Sequence, residues 1–304
     1  MKTLSKIVLF IFTFFFAVII SSFNKLSLVP KKTAILKRII IDAGHGGRDV
    51  GARGIYSFEK DICLAIALKL GKKIENEFPE IELLYTRTSD IYPEIRARAD
   101  FANANKGDLF LSIHVNAAPP VRHSKFIGYH NEVYYTGKGK KRKKHTRKVP
   151  KYQVYYTPNQ QNGTETFIWA ADRTDEKEKY VGTDLVSENN NIDTTEVIPD
   201  INDPASKAKA LLWTKRYFDK SFLLASMVEE EFVQGNRLSR GVKQRNEKGI
   251  WVLQATSMPS ILVETGFITH KQDEDFLNSE KGQDEVADNI INAVKRYRVA
   301  TEGK

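Results

Sequence analysis

Apolar residues along the chain fall into two alternating patterns, short unbroken runs and longer stretches with an apolar residue every fourth position. Residues 38–43 carry Ile39, Ile40 and Ile41 in succession and stop at Gly44, which predicts a fully buried strand followed by a Gly-rich loop to Gly54. From Glu59 to Glu77, Ile62, Ile66, Leu70 and Ile74 recur at four-residue spacing and predict a helix with one apolar stripe. A short strand is expected over 81–86, an Arg- and Ala-rich helix over 94–105, and a third strand over 108–115. Strand and helix signals therefore alternate, the mark of an α/β domain whose sheet has parallel neighbours.

The pattern breaks after Ala118. Residues 119 to about 210 read as a large, polar, irregular insertion. Beyond it come a helix over about 205–232 with a candidate interruption, a strand over 250–253, a buried strand over 260–263 and a closing helix over 285–297. The expected organisation is a single domain over 38–300 interrupted at about 119–210, with a linker over 23–37.

The first residues belong to no such domain. Lys2 and Lys6 precede an uncharged apolar run from Ile7 to Ile20 that ends in Ser21-Ser22, the layout of a secretory signal peptide over 1–22. A helix of that length rises about 21 Å, short of the roughly 30 Å of hydrocarbon in a bilayer, although extension to Leu28 would make it an uncleaved anchor. Export to the periplasm or cell envelope follows, with anchoring to the inner membrane as the alternative to cleavage. The lone cysteine, Cys63, rules out an intrachain disulfide and reads as an inert core thiol. The net charge of +9 suits an anionic polymer, and export removes nucleic acid from the front rank of partners. Nine of the fourteen residues from Lys138 to Lys151 are Lys or Arg, which reads either as a solvated loop or as a contact for anionic wall polymer or membrane headgroups.

Candidate chemistry lies at the strand ends. His45 follows the first strand, His114 ends the third and Glu264 follows the last, and in open α/β sheets ligands gather at the carboxyl ends of strands. Glu59 sits on the apolar stripe of its helix at the first turn, where an inward carboxylate needs a positive partner. Two imidazoles and a carboxylate are a recurring ligand set for catalytic zinc, and Glu264 is the candidate base that would move the proton. Gly44-His45-Gly46-Gly47 lacks the Gly-Lys-Ser/Thr ending of a phosphate loop.

The local context sharpens this weakly spaced set. Ile41-Asp42-Ala43-Gly44-His45-Gly46-Gly47, Glu59-Lys60, Thr86-Arg87 with Arg96 and Arg98, Leu111-Ser112-Ile113-His114-Val115-Asn116-Ala117, Arg240-Gly241-Val242-Lys243 and Ile261-Leu262-Val263-Glu264-Thr265-Gly266-Phe267 follow one another in order. In these segments the chain resembles the zinc-dependent N-acetylmuramoyl-L-alanine amidases (amidase type 3), which trim septal peptidoglycan. The resemblance implies a twisted, mixed sheet flanked by helices and one Zn2+ held by His45, Glu59 and His114. It also implies Glu264 as catalytic carboxylate, and Arg87 and Asn116 are candidate substrate-binding residues.

The implied reaction is hydrolysis of the amide between N-acetylmuramic acid and L-alanine, for wall turnover or septum splitting. Some relatives carry an inserted helix that covers the site until an activator displaces it, which makes an activator acting on 119–210 a candidate partner and Glu188 or Glu196 candidate blocking ligands. A zinc peptidase cutting within the stem peptide and a catalytically silent wall-binding protein are the alternative readings.

Overall fold

A computed structural model describes residues 36–175, 177–181, 204–247 and 249–302. Its elements are β1 (Arg38–Ala43), α1 (Glu59–Glu77), β2 (Glu82–Tyr85), α2 (Ile95–Ala104), β3 (Leu109–Asn116), β4 (Val121–Thr136), β5 (Lys143–Thr157) and β6 (Thr164–Ile168). They continue with α3 (Pro204–Gln234), β7 (Ser239–Gln244), α4 (Trp251–Ala255), β8 (Ser260–Phe267), α5 (Lys271–Leu277) and α6 (Glu280–Glu302). The signal-peptide expectation and the candidates Glu188 and Glu196 lie outside the described residues.

Six strands form one sheet in the order β2-β1-β3-β8-β6-β7. Every neighbouring pair runs parallel except β6 and β8, so the sheet is mixed and largely parallel as the sequence predicts. The unbroken apolar runs are explained by burial on both faces, because successive side chains on a strand point to opposite sides. Ile39 and Ile41 of β1, Leu111 of β3 and Val263 of β8 pack with Ile62, Ile66 and Leu70 of α1 and with Ile290 and Val294 of α6. Ile40, Phe110 and Leu262, one residue out of phase, face a smaller core with Trp169 and Leu253. Each fully buried aliphatic side chain of that kind contributes roughly 1.5–3 kcal/mol.

Three expectations need correction. The described part of residues 119–210 is not irregular: β4 and β5 pair along their length as an antiparallel hairpin, and β6 belongs to the main sheet. The Lys-rich stretch therefore lies partly on β5 rather than in a loop. Its strand character is hidden by lysines between Tyr, Val and Thr, while Gly137 and Gly139 at φ 81° and 56° make the turn. Residues 251–255 are helical rather than extended, since a four-residue apolar run does not discriminate the two. Lys177, fully buried, donates from Nζ to the carbonyls of Leu253 at 2.6 Å and Thr256 at 2.7 Å, which satisfies the open end of that short helix. Finally, α3 runs through its whole length without a break.

Candidate active site

β1, β3 and β8 lie side by side and parallel, so their carboxyl ends share one edge. His45 stands two residues beyond β1, His114 near the end of β3, and Glu264 on β8 directly opposite His114 in register. Glu59 opens α1, whose apolar stripe turns its carboxylate inward, and it is only 4% exposed.

The four residues do not all meet at one point. His45, Glu59 and His114 do, each offering one ligand atom within 4.8 Å of the others. Glu59 Oε1 lies 2.9 Å from His114 Nδ1 and 3.1 Å from His45 Nε2, and it accepts the Val115 N–H at 3.0 Å. Its other oxygen accepts the Ala52 N–H at 2.8 Å. Asp49 Oδ2 sits 2.9 Å from His45 Nδ1 and fixes the ring with Nε2 facing inward. Burial pushes the His45 imidazole down, but hydrogen bonds and charge from Glu59, then Asp49, outweigh it and hold the ring up at about 9. Burial likewise pushes Glu59 up, and the hydrogen bonds and charge of His114 and His45 reverse this and hold it far below the usual carboxylate range. A buried carboxylate between two imidazoles is the electrostatic setting of a divalent-cation site, and two nitrogens with one oxygen are its donor set.

Two glycines are required by contact. A Cβ on Gly44 would lie 2.4 Å from His114 Cε1, and one on Gly51, at φ 67°, would lie 2.6 Å from Glu59 Oε2. Gly44→Ala is expected to displace His114 and to lower activity about 100-fold, the order expected for misplacement of a reacting group by about 1 Å. Circular dichroism unchanged from the parent, together with the lost digestion of peptidoglycan, checks that outcome; full activity would remove Gly44 from the site.

Arg87 requires correction as a substrate-binding candidate. It is buried and contributes nothing to the cleft lining. Its guanidinium donates to the carbonyls of Ala43 at 2.9 Å, Gly44 at 2.7 Å, Lys60 at 2.7 Å and Ser89 at 3.1 Å, so it shapes the loop that carries His45. Arg98 acts similarly, donating to His45 O at 2.6 Å and to Asp42 Oδ1 at 2.6 Å. Asp42 also accepts from Thr86 and Ser112, which ties β1, β2 and β3 together under the site.

Glu264 has a different environment. One carboxylate oxygen is buried with no hydrogen-bond partner among the described residues, and the residue lines a cleft of about 420 Å³ shared with His45, Glu59, His114, Asn116 and Arg245. Burial pushes its pKa up to about 7, with Glu59 and Glu165 adding to the rise and His114 opposing it. That is the range in which a carboxylate exchanges protons at neutral pH.

Asn116 lines the cleft, and its amide donates to Glu165 Oε2 at 3.0 Å. Glu165, on β6 opposite Glu264, also accepts from Arg240 Nε at 2.6 Å. Sequence reasoning missed Glu165 because Thr-Glu-Thr-Phe-Ile sits within a stretch read as irregular; the strand propensity of its Thr, Phe and Ile residues was the available signal. It also missed Asp49, four residues after His45 in the Gly-rich loop.

The chain matches the model of the N-acetylmuramoyl-L-alanine amidase family Amidase_3 over residues 39–296. It is similar to AmiC, an N-acetylmuramoyl-L-alanine amidase of Escherichia coli, with 28% identity over 260 residues, 85% of this chain and 52% of AmiC. The chain therefore spans about half of that relative. YqiI of Bacillus subtilis is 27% identical over 261 residues, 86% of this chain and 84% of YqiI. Among solved structures, an N-acetylmuramoyl-L-alanine amidase from Clostridium difficile 630 superposes with a TM-score of 0.54 at 25% identity, over 86% of this chain and 96% of that one.

Proposed function

The chain belongs to the N-acetylmuramoyl-L-alanine amidase family and is an amidase of peptidoglycan, and from that premise we propose that its activity depends on a zinc ion held by His45, Glu59 and His114, with Glu264 as the proton carrier. The observation that carries this reading is the convergence of the three ligand atoms beside a carboxylate whose pKa stands near 7. The bound ion would supply a Lewis acid for the scissile carbonyl and would bring the pKa of water towards neutrality.

The protein's own groups do the rest. Glu264 in its ionised form takes the proton of the attacking water and returns it to the departing L-alanine nitrogen, so a neutral amine leaves. Its partnerless oxygen is free for that proton because no hydrogen bond within the described residues competes for it. Asp49 holds His45 and the Glu59 carboxylate stays ionised, which keeps the ligand set ready. Asn116, held by Glu165, and Arg245 line the cleft and would orient the substrate around the amide. The same chemistry would cut a peptide bond, and membership of the family favours the sugar–peptide amide. We place the activity outside the cytoplasmic membrane, in septum splitting or wall turnover.

Digestion of purified peptidoglycan, read by mass spectrometry, tests the assignment. Free stem peptides beginning at L-alanine beside peptide-free glycan are expected, and chelation should abolish both. Shortened peptides still attached to muramic acid would sink it in favour of a peptidase.

A further inference from the structure

The hairpin of β4 and β5 has no part in the chemistry above, yet it carries the charge of the molecule. Residues 121–157 contain eleven Lys or Arg and one carboxylate, Glu132, a net +10 against +9 for the whole chain. The remaining residues hold 36 basic and 37 acidic side chains and are close to neutral. Among the described residues the two strands pair only with each other, and a strand of that length extends about 50 Å.

Its two faces differ. Register places Phe126 opposite Tyr152, Arg122 opposite Tyr156, Tyr129 opposite Pro150, Asn131 opposite Lys148, Val133 opposite Thr146 and Tyr135 opposite Lys144, and residues directly opposite share a face. The Phe126 and Tyr129 rings, 5.1 Å apart, show that this face continues across the bulge between Phe126 and Gly128. Each of these residues is exposed, Tyr129 at 66% and Tyr156 at 62%, and the face contains no acid. The one carboxylate points the other way, paired with Arg147. Isolated two-stranded ribbons are marginal in water, and exposed apolar patches of this extent mark interaction sites.

We propose that this hairpin docks on an anionic lipid surface, its aromatic face at the level of the headgroups and the basic tip over 138–148 against lipid phosphates. Tyrosine suits that depth because its ring is apolar and its hydroxyl polar, and clustered Lys and Arg are drawn to anionic leaflets. Charge excludes a second copy of the chain, since two such hairpins would repel. A glycan strand fits less well: Phe126 meets Tyr129 and Tyr152 edge to face, at 72° and 66°, so the rings form no flat platform for successive sugars. Val133 and Val154 on the same surface offer sugars nothing to stack on, whereas they suit a lipid interface.

Sedimentation with vesicles tests this, using protein beginning at Lys31, which keeps every core residue described above. Binding to equimolar phosphatidylglycerol and phosphatidylcholine is expected to exceed binding to phosphatidylcholine alone by at least tenfold, and to be lost in 0.5 M salt (about a 4 Å screening length). Lys140→Gln, Lys141→Gln, Lys143→Gln and Lys144→Gln together should weaken it at least tenfold, as should Tyr129→Ser with Tyr135→Ser, with peptidoglycan digestion unchanged for both. Val133→Cys carrying a polarity-sensitive dye should shift to the blue on anionic vesicles, the native Cys63 being fully buried and unlabelled. No vesicle binding, or hairpin-dependent binding to insoluble peptidoglycan alone with no dye shift on vesicles, would overturn the proposal.

Discussion

Glu264→Gln is expected to lower amide hydrolysis by about 10³-fold and, in the same protein freed of metal, to raise its melting temperature at pH 8. Loss of a positioned acid–base group typically removes 10²- to 10⁴-fold in rate, and glutamine preserves shape while it can neither accept nor return the proton. The stability gain follows from burial. The carboxyl is held at about 7 in the folded protein against 4.5 for the free group, so the folded state keeps its proton to higher pH than the unfolded chain does. Stability therefore falls as pH rises from 4.5 to 7, and above 7 the whole penalty, on the order of 3 kcal/mol, is in place. Glutamine carries no such penalty, so the variant's advantage should vanish near pH 4.5. A bound cation favours the carboxylate, so the acidic limb of the pH–rate profile of the loaded enzyme should lie at or below 7. Thermal melts from pH 4 to 9 beside a digestion assay measure both effects, and a variant that loses stability at pH 8 would mean that Glu264 is held by a partner.

That carboxylate also marks how far sequence carries the argument. α1 was legible because an apolar residue every fourth position fits only a helix, and β1, β3 and β8 because their unbroken apolar runs lead directly into the motif residues at their carboxyl ends. Glu165 and Asp49 were not legible, although they matter to the site, because neither belongs to a strong period: β6 is five residues long and enters the sheet antiparallel to β8, and Asp49 acts through a loop whose path depends on His45 at φ 58°. The role of Arg87 was misread for a related reason. An arginine beside a catalytic motif has the same sequence signature whether it meets substrate or spends its donors on backbone carbonyls, and only its 2% exposure decides between them. The hairpin failed differently, since its two-stranded pairing is non-local and its lysines mask the alternation.

Asp49→Asn is expected to separate metal affinity from chemistry, and it complements full removal of the metal. Chelation should abolish hydrolysis, and zinc should restore it, because on the proposed reading the ion held by these three ligands would supply the Lewis acid that polarises the scissile carbonyl. Glu59→Gln and His114→Ala should weaken zinc binding and lose activity together, the first by removing the negative charge of one ligand and the second by removing a ligand. Asn at position 49 keeps the size of the side chain but offers His45 Nδ1 a neutral partner in place of a carboxylate now 2.9 Å away. Outer partners of ligating histidines are worth about 10- to 100-fold in metal affinity. Zinc titration should then show affinity weaker by that factor, while kcat at saturating zinc stays close to the parent value, since the Asp49 carboxylate bonds to His45 Nδ1 and the Gly51 N–H and not to Glu264, the proton carrier. A fall in kcat at saturating zinc with unchanged affinity would instead place Asp49 in the chemistry, and loss of neither would mean that the Glu59 carboxylate alone orients the ring.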